Sequence, residues 1–539
     1  MQKRNRTCPF CHIRRMFGAP KVDAPTFAPY DNDVRKTPLM GWSSWNTFRN
    51  RISQQLILET ATAMKEKGLL DAGYCYVNLD DNWHSNMRDD NGEWQGDLVR
   101  FSEGIPALVD NVNALGFKVG LYSSNGTLTC EDLPASLGRE LADARTLAKW
   151  GVEYFKYDFC HNEKVSKYAP LVYSIEVSLK GSGVGKEIEV SNAILKGLAR
   201  RMKCKALPGG QYVSGLDSGE GSIIFDNVVV DKDGEYVLTV NIKKYGRYEK
   251  YLAVVVNGVP SEGIEFPPQK HFNVTARFQT IVTLKAGRNC IELYNPVTGR
   301  EESAAIQYRK MAYSLKKATA EVAAATGKPE KPILFSICEW GNRRPWRWGY
   351  SAGNMWRTTP DIRPWWPWIK TIYEHNVKLY KYASAGHFND PDMLEVGNGK
   401  LTYERNMSHF ALWCMMSAPL VLGNDIRKIS EPVLKIVTNR KLIAIDQDAL
   451  AKQAKRMRKG TVDVLAKPLA DGSTAVCFFN KGLTAQKSSF NVSKLQKDDY
   501  VAAKLSEKKI ENVVGEATLE GTKLTAKIPR DGVVVVILR

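Results

Sequence analysis

The strongest constraint on this chain is one phrase that it repeats. Between Thr37 and Leu450, a short apolar run ending in polar or acidic residues is followed by an amphipathic helical stretch, and the pattern occurs eight times with one interruption. The apolar runs cover 39–45, 74–81, 118–124, 154–159, 333–340, 355–362, 388–394 and 419–425. Between them lie stretches such as 54–67, where Leu56, Ile57, Ala61 and Met64 recur at helical spacing. Eight strand-then-helix units predict a (β/α)8 TIM barrel, whose chemistry gathers at the C-terminal ends of the strands. Those ends carry Asp80, Asp81, Tyr122, Asp158, Glu339, Asp361, Asp390 and Asp392.

The interruption follows the fourth strand. Over 165–307 the period changes to two, in runs 222–231, 236–242, 251–257, 279–284 and 290–294. Asp233-Gly234, Asn257-Gly258 and Ala286-Gly287 punctuate these runs as turns. The expectation is an inserted antiparallel β-sandwich. A helical pattern resumes over 308–325, just before the fifth barrel strand. After Leu450 strand patterning returns at 462–466, 474–480, 487–491 and 532–538, which predicts a C-terminal antiparallel β domain. The expected organisation is therefore an N-terminal extension (1–36), the barrel in two parts (37–164 and 308–451), the insert (165–307) and the β domain (452–539).

Charge and cysteine content exclude other classes. Lys and Arg number 76 against 58 Asp and Glu, a net charge of +18, which raises nucleic acid as a partner. The surplus is spread along the chain, with no block of five like charges and no nucleic-acid-binding motif, so the basic surface reads as solvated. No run reaches the ~18 apolar residues of a membrane-spanning helix. Ten cysteines in 539 residues fall far below the density of a disulfide scaffold. Cys8-Pro-Phe-Cys11 with His12 resembles half a zinc knuckle without its second half, so no metal site is assigned. The first 20 residues are basic and lack the apolar stretch of an export signal.

An Asp at a strand end is usually a cap or an ion-pair partner. Several on one barrel face are costly unless cations and a polar ligand compensate. Lys156 lies two residues before Asp158, on the same side of its strand, and Arg357 lies four before Asp361. A carboxylate beside a lysine stays ionised as a nucleophile requires, while one in a drier place keeps its proton as an acid. Two such groups across a barrel mouth, with Trp42 and hydroxyl-binding carboxylates around them, suit glycoside hydrolysis.

These residues sit in Thr37-Pro-Leu-Met-Gly-Trp42-Ser-Ser-Trp45-Asn46, Leu79-Asp80-Asp81-Asn-Trp83, Lys156-Tyr-Asp158-Phe-Cys160, Cys338-Glu339-Trp340-Gly, Trp356-Arg357-Thr-Thr-Pro-Asp361-Ile and Asn389-Asp-Pro-Asp392-Met393-Leu. Together with Ser417-Ala-Pro-Leu-Val-Leu-Gly-Asn-Asp425 and Ile443-Ala-Ile-Asp-Gln-Asp448, this set resembles glycoside hydrolase family 27, the melibiase-type α-galactosidases. The resemblance implies a retaining double displacement on terminal α-galactosides, without a cofactor or metal. Asp158 takes the nucleophile position and Asp361 the acid/base position. Asp80 and Asp81 match the pair that grips the 4- and 6-hydroxyls, Lys156 and Arg357 match sugar-binding cations, and Glu339 with Arg357 would serve the 2-hydroxyl side. Trp42, Tyr122, Asp392 and Met393 match the remaining pocket wall. Cys130 and Cys160 occupy the positions of a family disulfide beside the nucleophile, which implies a periplasmic or secreted protein. The insert is similar to jelly-roll carbohydrate-binding modules, and a homo-oligomer is left open.

Two other readings stand beside this one: another sugar within the family, as in isomalto-dextranases or β-L-arabinopyranosidases, or a non-catalytic carbohydrate-binding protein. Glu339 favours galactose over N-acetylgalactosamine, whose relatives carry small residues there. The Asp80–Asp81 pair speaks against arabinopyranose, which lacks the hydroxymethyl group. Ser43, Asn82, Ser124-Asn125 and the stretch from Asn342 to Trp346 depart from the family pattern, which bears on the leaving-group side. Asn125-Gly-Thr127 also forms a glycosylation sequon.

Overall fold

The computed structural model describes residues 27–243, 246, 248–268, 275–503 and 509–539; Cys8, Cys11 and most of the 1–36 extension lie outside the described residues. The chain divides into two compact units, one holding Glu163–Ile306 and the other Pro29–Asn162 with Gln307–Arg539.

In the second unit all eight expected barrel strands form: β1 (Met40–Ser43), β2 (Tyr76–Asn78), β3 (Lys118–Ser124), β4 (Tyr154–Asp158), β5 (Leu334–Ile337), β6 (Met355–Arg357), β7 (Phe388–Asp390) and β8 (Leu420–Leu422). Every neighbouring pair is parallel, in the order β7-β6-β5-β4-β3-β2-β1-β8. The ring closes just past β7, where Leu394 N–H donates to the Val421 carbonyl at 2.7 Å and the Leu394 carbonyl accepts from Gly423 N–H at 3.1 Å. Closure removes the sheet edges, and helices such as Gln54–Glu66 follow the strands, that one capped by the Ser53 hydroxyl.

Side chains divide the barrel end to end. Tyr76, Tyr154, Leu334, Met355 and Phe388, each the first residue of its strand, join Leu39 and Val421 in one apolar cluster. The backbones also approach closely: a Cβ on Gly41 would lie 2.6 Å from the Tyr76 carbonyl oxygen, so β1 admits no side chain there.

The strands are shorter than the sequence pattern suggests, which changes one site position. β6 ends at Arg357 rather than running to 362, so Asp361 sits on the segment beyond it, after Pro360. A second correction concerns the helix expected over 308–325, which spans Arg300–Thr326. Its start falls inside the stretch read as β-rich because Glu301 and Glu302 suit a helix N-terminus, and the Glu302 carboxylate accepts from Gly299 N–H at 2.9 Å.

Between β4 and β5, the first unit contains two antiparallel sheets. One holds Lys250–Val256, Gly287–Tyr294, Gly221–Val230 and Ile194–Gly197, and the other Ala276–Leu284, Gly234–Ile242, Val172–Leu179, Gln211–Ser214 and Arg200–Lys203. Both contribute to one apolar core, with Ile223, Leu252 and Leu293 from the first and Ile175, Leu238 and Val240 from the second. The sequence pattern missed Val172–Leu179 and the short strands up to Gln211–Ser214. Val172–Leu179 does alternate, with Ile175, Val177 and Leu179 set between Ser174, Glu176 and Ser178, whereas short strands such as Gly185–Glu189 and Arg200–Lys203 hold too few apolar residues to show a period.

The C-terminal residues form a five-stranded and a three-stranded antiparallel sheet. Val533–Leu538 lies between Thr474–Asn480 and Ile510–Val514 and is almost wholly buried, as its unbroken apolar run requires. This domain is tied to the barrel through Asp463, which is fully buried. Its carboxylate accepts from Tyr373 of the helix Trp366–Asn376 (2.8 Å), Arg456 (3.0 Å), Lys481 (3.0 Å) and Gly460 N–H (2.9 Å). Glu374 on the same helix shares Arg456 (2.7 Å) and Lys481 (2.6 Å). Asp463→Ala leaves two cations facing a single carboxylate and should lower stability by about 3 kcal/mol in urea unfolding. A loss below about 0.5 kcal/mol, the size of an exposed pair, would show that the network does not hold the domains together.

Candidate active site

The C-terminal ends of the barrel strands bring the predicted residues together around two cations, Lys156 and Arg357. Lys156, from the middle of β4, pairs with Asp80 at 2.8 Å and lies over the Tyr122 ring at 5.1 Å. Arg357, the last residue of β6, is 3% exposed. Its Nη2 reaches Asp392 at 2.8 Å and Asp361 at 3.0 Å, with the Thr359 carbonyl at 3.2 Å.

Asp158 closes β4 and is buried. One carboxylate oxygen accepts from Phe159 N–H at 2.9 Å and the other from the Tyr122 hydroxyl at 3.1 Å. Tyr122 also touches Cys130 Sγ at 3.2 Å, and Cys130 is disulfide-bonded to Cys160, two residues past Asp158. The expected disulfide therefore forms and braces the loop beside this carboxylate. Asp361 differs in being 63% exposed, with its backbone carbonyl held by the Trp368 indole at 2.9 Å.

Asp81 is pinned by N–H groups of Asn82 (2.8 Å) and Glu131 (3.1 Å). Asp392 accepts from Met393 N–H and Ile362 N–H, at 2.8 and 2.7 Å. Met393 is buried, and its methyl carbon lies against Gly423. Trp42 is buried with its indole N–H on the Asn424 carbonyl at 2.9 Å. Asn82, His161, Trp340 and Asp392 all adopt positive φ, and each lies within four residues of the end of β2, β4, β5 or β7. Such backbone strain in non-glycine residues concentrates where a fold holds functional groups in place.

Glu339 and Arg357, expected to serve the 2-hydroxyl side, have different partners within the chain: the Arg357 guanidinium goes to Asp361 and Asp392. Glu339, fully buried, accepts instead from Arg343 through its backbone N–H (2.7 Å) and Nη1 (3.3 Å). Arg343 was missed as a site residue, although its four-residue spacing from Glu339 is a readable signal. The Asn125 sequon is closed to glycosylation in the folded chain, because Asn125 is completely buried.

The electrostatics follow from this packing. Burial pushes the Asp158 carboxyl up to about 6; Lys156 pulls it down and Asp361 adds to the rise. Burial likewise takes Asp81 and Asp390 to about 6. For Asp361, desolvation works upward but the charges of Arg357 and Lys156 and the Arg357 hydrogen bond outweigh it, leaving the carboxyl below its usual range. Burial works against the Lys156 charge, yet the neighbouring carboxylates, Asp80 foremost, hold it firmly protonated.

The family profile described as alpha galactosidase A matches residues 37–191 and 305–448, and the profile for the alpha galactosidase C-terminal β-sandwich domain matches 459–538. Alpha-galactosidase A of Cellvibrio japonicus is 30% identical over 525 residues, covering 94% of this chain and 92% of that protein. Alpha-galactosidase 2 of Arabidopsis thaliana is 30% identical over 454 residues, covering 84% of this chain and 77% of that one. The crystal structure of alpha-galactosidase I from Mortierella vinacea aligns with a TM-score of 0.64 at 24% identity, over 94% of this chain and 98% of that one, a likeness of fold.

A buried carboxyl whose pKa is higher in the folded chain than in the unfolded one costs stability as pH climbs from about 4 to about 6. Asp158→Asn removes that ionisation, so at pH 8 the variant should be more stable than the parent by roughly 2 kcal/mol, with the gain vanishing near pH 4. Thermal melts across this range check it; a gain that does not change with pH contradicts the raised pKa.

Proposed function

Since this chain belongs to the alpha galactosidase A family of glycoside hydrolases and carries that family's C-terminal domain, we propose that it removes terminal non-reducing α-D-galactosyl residues from oligo- or polysaccharides by a retaining double displacement. The observation that carries this reading is the pair of hydrogen bonds from Tyr122 and Phe159 N–H to Asp158, under the charge of Lys156, on one side and the pairing of Asp361 with Arg357 on the other.

In the first step Asp158 attacks the anomeric carbon, the bond to the leaving oxygen breaks, and Asp361 gives that oxygen a proton. In the second, Asp361 takes a proton from water, water attacks the anomeric carbon, and Asp158 is released. Asp158 is suited to attack because Phe159 N–H and Tyr122 orient its two oxygens, while Lys156 favours its ionised form. Asp361 is exposed, as a group that meets both leaving group and water must be. Asp80 and Asp81 grip the 4- and 6-hydroxyls, Glu339 takes the 2-hydroxyl, and Trp42, Asp392 and Met393 complete the wall. Asp80 arrives already paired with Lys156 at 2.8 Å, so sugar hydroxyls meet a preformed charge pair rather than a lone buried anion.

The free site imposes one condition. Arg357 holds Asp361 ionised, the opposite of what proton donation needs. Bound sugar must exclude water from Asp361 and engage Arg357, raising the carboxyl to where it retains a proton.

Residues 165–307 are read as a β-sandwich of the carbohydrate-binding-module kind inserted after the fourth barrel strand. Its support is the pair of antiparallel sheets around a common core. The Cys130–Cys160 disulfide supports an oxidising compartment, periplasmic or extracellular.

On a panel of 4-nitrophenyl glycosides the α-galactoside should be cleaved in preference to the β-L-arabinopyranoside and α-glucoside, and early proton NMR should show the α anomer of galactose. No α-galactoside hydrolysis, or a β-anomer product, contradicts the reading. Asp158→Asn should reduce kcat/KM by at least about a thousandfold. In the parent, kcat/KM should fall as pH rises above about 6, where the free site, with Asp361 held below Asp158, loses the single proton the reaction needs. The alkaline limb of kcat should lie at higher pH than that of kcat/KM, because kcat reports the sugar-bound state. Coincident alkaline limbs would show that bound sugar does not raise Asp361.

A further inference from the structure

We infer that Arg343 is a specificity-determining positioning residue: it locks the Glu339 carboxylate in the orientation that selects a free hydroxyl at carbon 2 of the sugar. The inference rests on the galactoside reading above and extends it to a residue in a stretch that departs from the family pattern.

The geometry is that of a clamp. Glu339 lies two residues beyond β5 and is fully buried. Its Oε2 receives both the backbone N–H of Arg343 at 2.7 Å and the guanidinium Nη1 at 3.3 Å. The other face of that guanidinium covers the Phe159 ring at 4.0 Å, and Phe159 is the residue whose N–H orients Asp158. Phe159 stacks in turn on Tyr308 (5.9 Å, 13° between planes), whose hydroxyl donates to the Tyr157 and Asp158 carbonyls. One side chain thus bridges the acidic residue at the end of β5 and the aromatic residue next to Asp158.

The loop that presents Arg343 is itself held. Trp340, Gly341 and Arg344 have positive φ, and a Cβ on Gly341 would lie 2.1 Å from the Thr358 carbonyl oxygen, so the turn sits directly against the end of β6. The Trp348 indole donates to the Arg343 carbonyl at 3.0 Å. With the backbone fixed, the guanidinium has a defined position between a carboxylate and a ring face. A planar cation fills that place better than an ammonium does. The two hydrogen bonds from Arg343 engage Oε2 and hold the Glu339 carboxylate as an acceptor of fixed orientation. Such an acceptor bonds a sugar hydroxyl and offers no donor to an acetamide carbonyl.

The test compares 4-nitrophenyl α-galactoside with its 2-deoxy analogue in the parent, Arg343→Met, Arg343→Lys, Glu339→Gln and the Arg343→Met/Glu339→Gln double variant. Arg343→Met should lower kcat/KM for the galactoside by about ten- to a hundredfold while changing the 2-deoxy substrate by less than about threefold. Arg343→Lys should recover part of the loss. In the Glu339→Gln background, Arg343→Met should have little further effect. Equal losses on both substrates, or full additivity of the two substitutions, would reduce Arg343 to a structural role and overturn the inference. Calorimetric binding of galactose and 2-deoxygalactose to the same proteins reads the 2-hydroxyl preference without turnover. A parent that binds galactose but does not hydrolyse the glycoside would count against the proposed reaction alone. A parent without preference between the two sugars would count against Arg343.

Discussion

The mouth of this barrel depends on two cations, Lys156 and Arg357. Seven carboxyl groups lie at or just beyond the strand ends, from Asp80, Asp81, Asp158, Glu339, Asp361, Asp390 and Asp392. Burying so many acids together is unfavourable unless charge and hydrogen bonds are arranged to meet them. Lys156 answers Asp80 and moderates Asp158, while Arg357 is shared by Asp361 and Asp392. Asp81 and Asp392 are met by backbone N–H groups as well. The cations thereby divide the acids by role. Asp158 stays dry, with a raised pKa and a fixed geometry, and Asp361 stays exposed and ionised until a ligand changes its surroundings.

The rest of the barrel makes that arrangement possible. The first residues of β2, β4, β5, β6 and β7 share one apolar cluster, which packs that end of the ring. Closure through Leu394 and Val421 fixes the ring, and the disulfide and Tyr122 brace the end of β4. The residues with positive φ past β2, β4, β5 and β7 turn the chain sharply, so that short strands deliver side chains inward within a few residues. The C-terminal domain buttresses the helix Trp366–Asn376, which begins five residues after Asp361, through Asp463 and Glu374.

Much of this was legible in the amino-acid order because it is a matter of period. The eight barrel strands, the change to period two after Asp158 and the buried strand Val533–Leu538 follow from where apolar residues recur. Side chains clustered at strand ends also pointed to the site before any geometry was known. What escaped was set by three-dimensional packing. The end of β6 at Arg357 depends on Pro360 and the turn beyond it, and the helix start at Arg300 depends on a carboxylate reaching back to Gly299. Lys523–Ile528 does alternate, with Leu524, Ala526 and Ile528 facing the core, and it pairs with Gln486–Asn491 and Ala517–Glu520 on its two sides. The contact between Arg343 and Glu339 is likewise set by the turn. Arg343 is delivered by the turn, while Arg357 is held by Asp392 and Asp361.

The central claim is that Asp158, held by Tyr122 and Phe159 N–H under the charge of Lys156, is the group that becomes bonded to the sugar. A slow fluorinated α-galactoside that stalls after the first displacement tests it most directly, with peptide mass spectrometry of the treated protein. The account predicts one sugar-derived adduct on the peptide carrying Asp158 and none on Asp361. An adduct on another carboxylate, or steady turnover through an intermediate that leaves Asp158 unmodified, would contradict it.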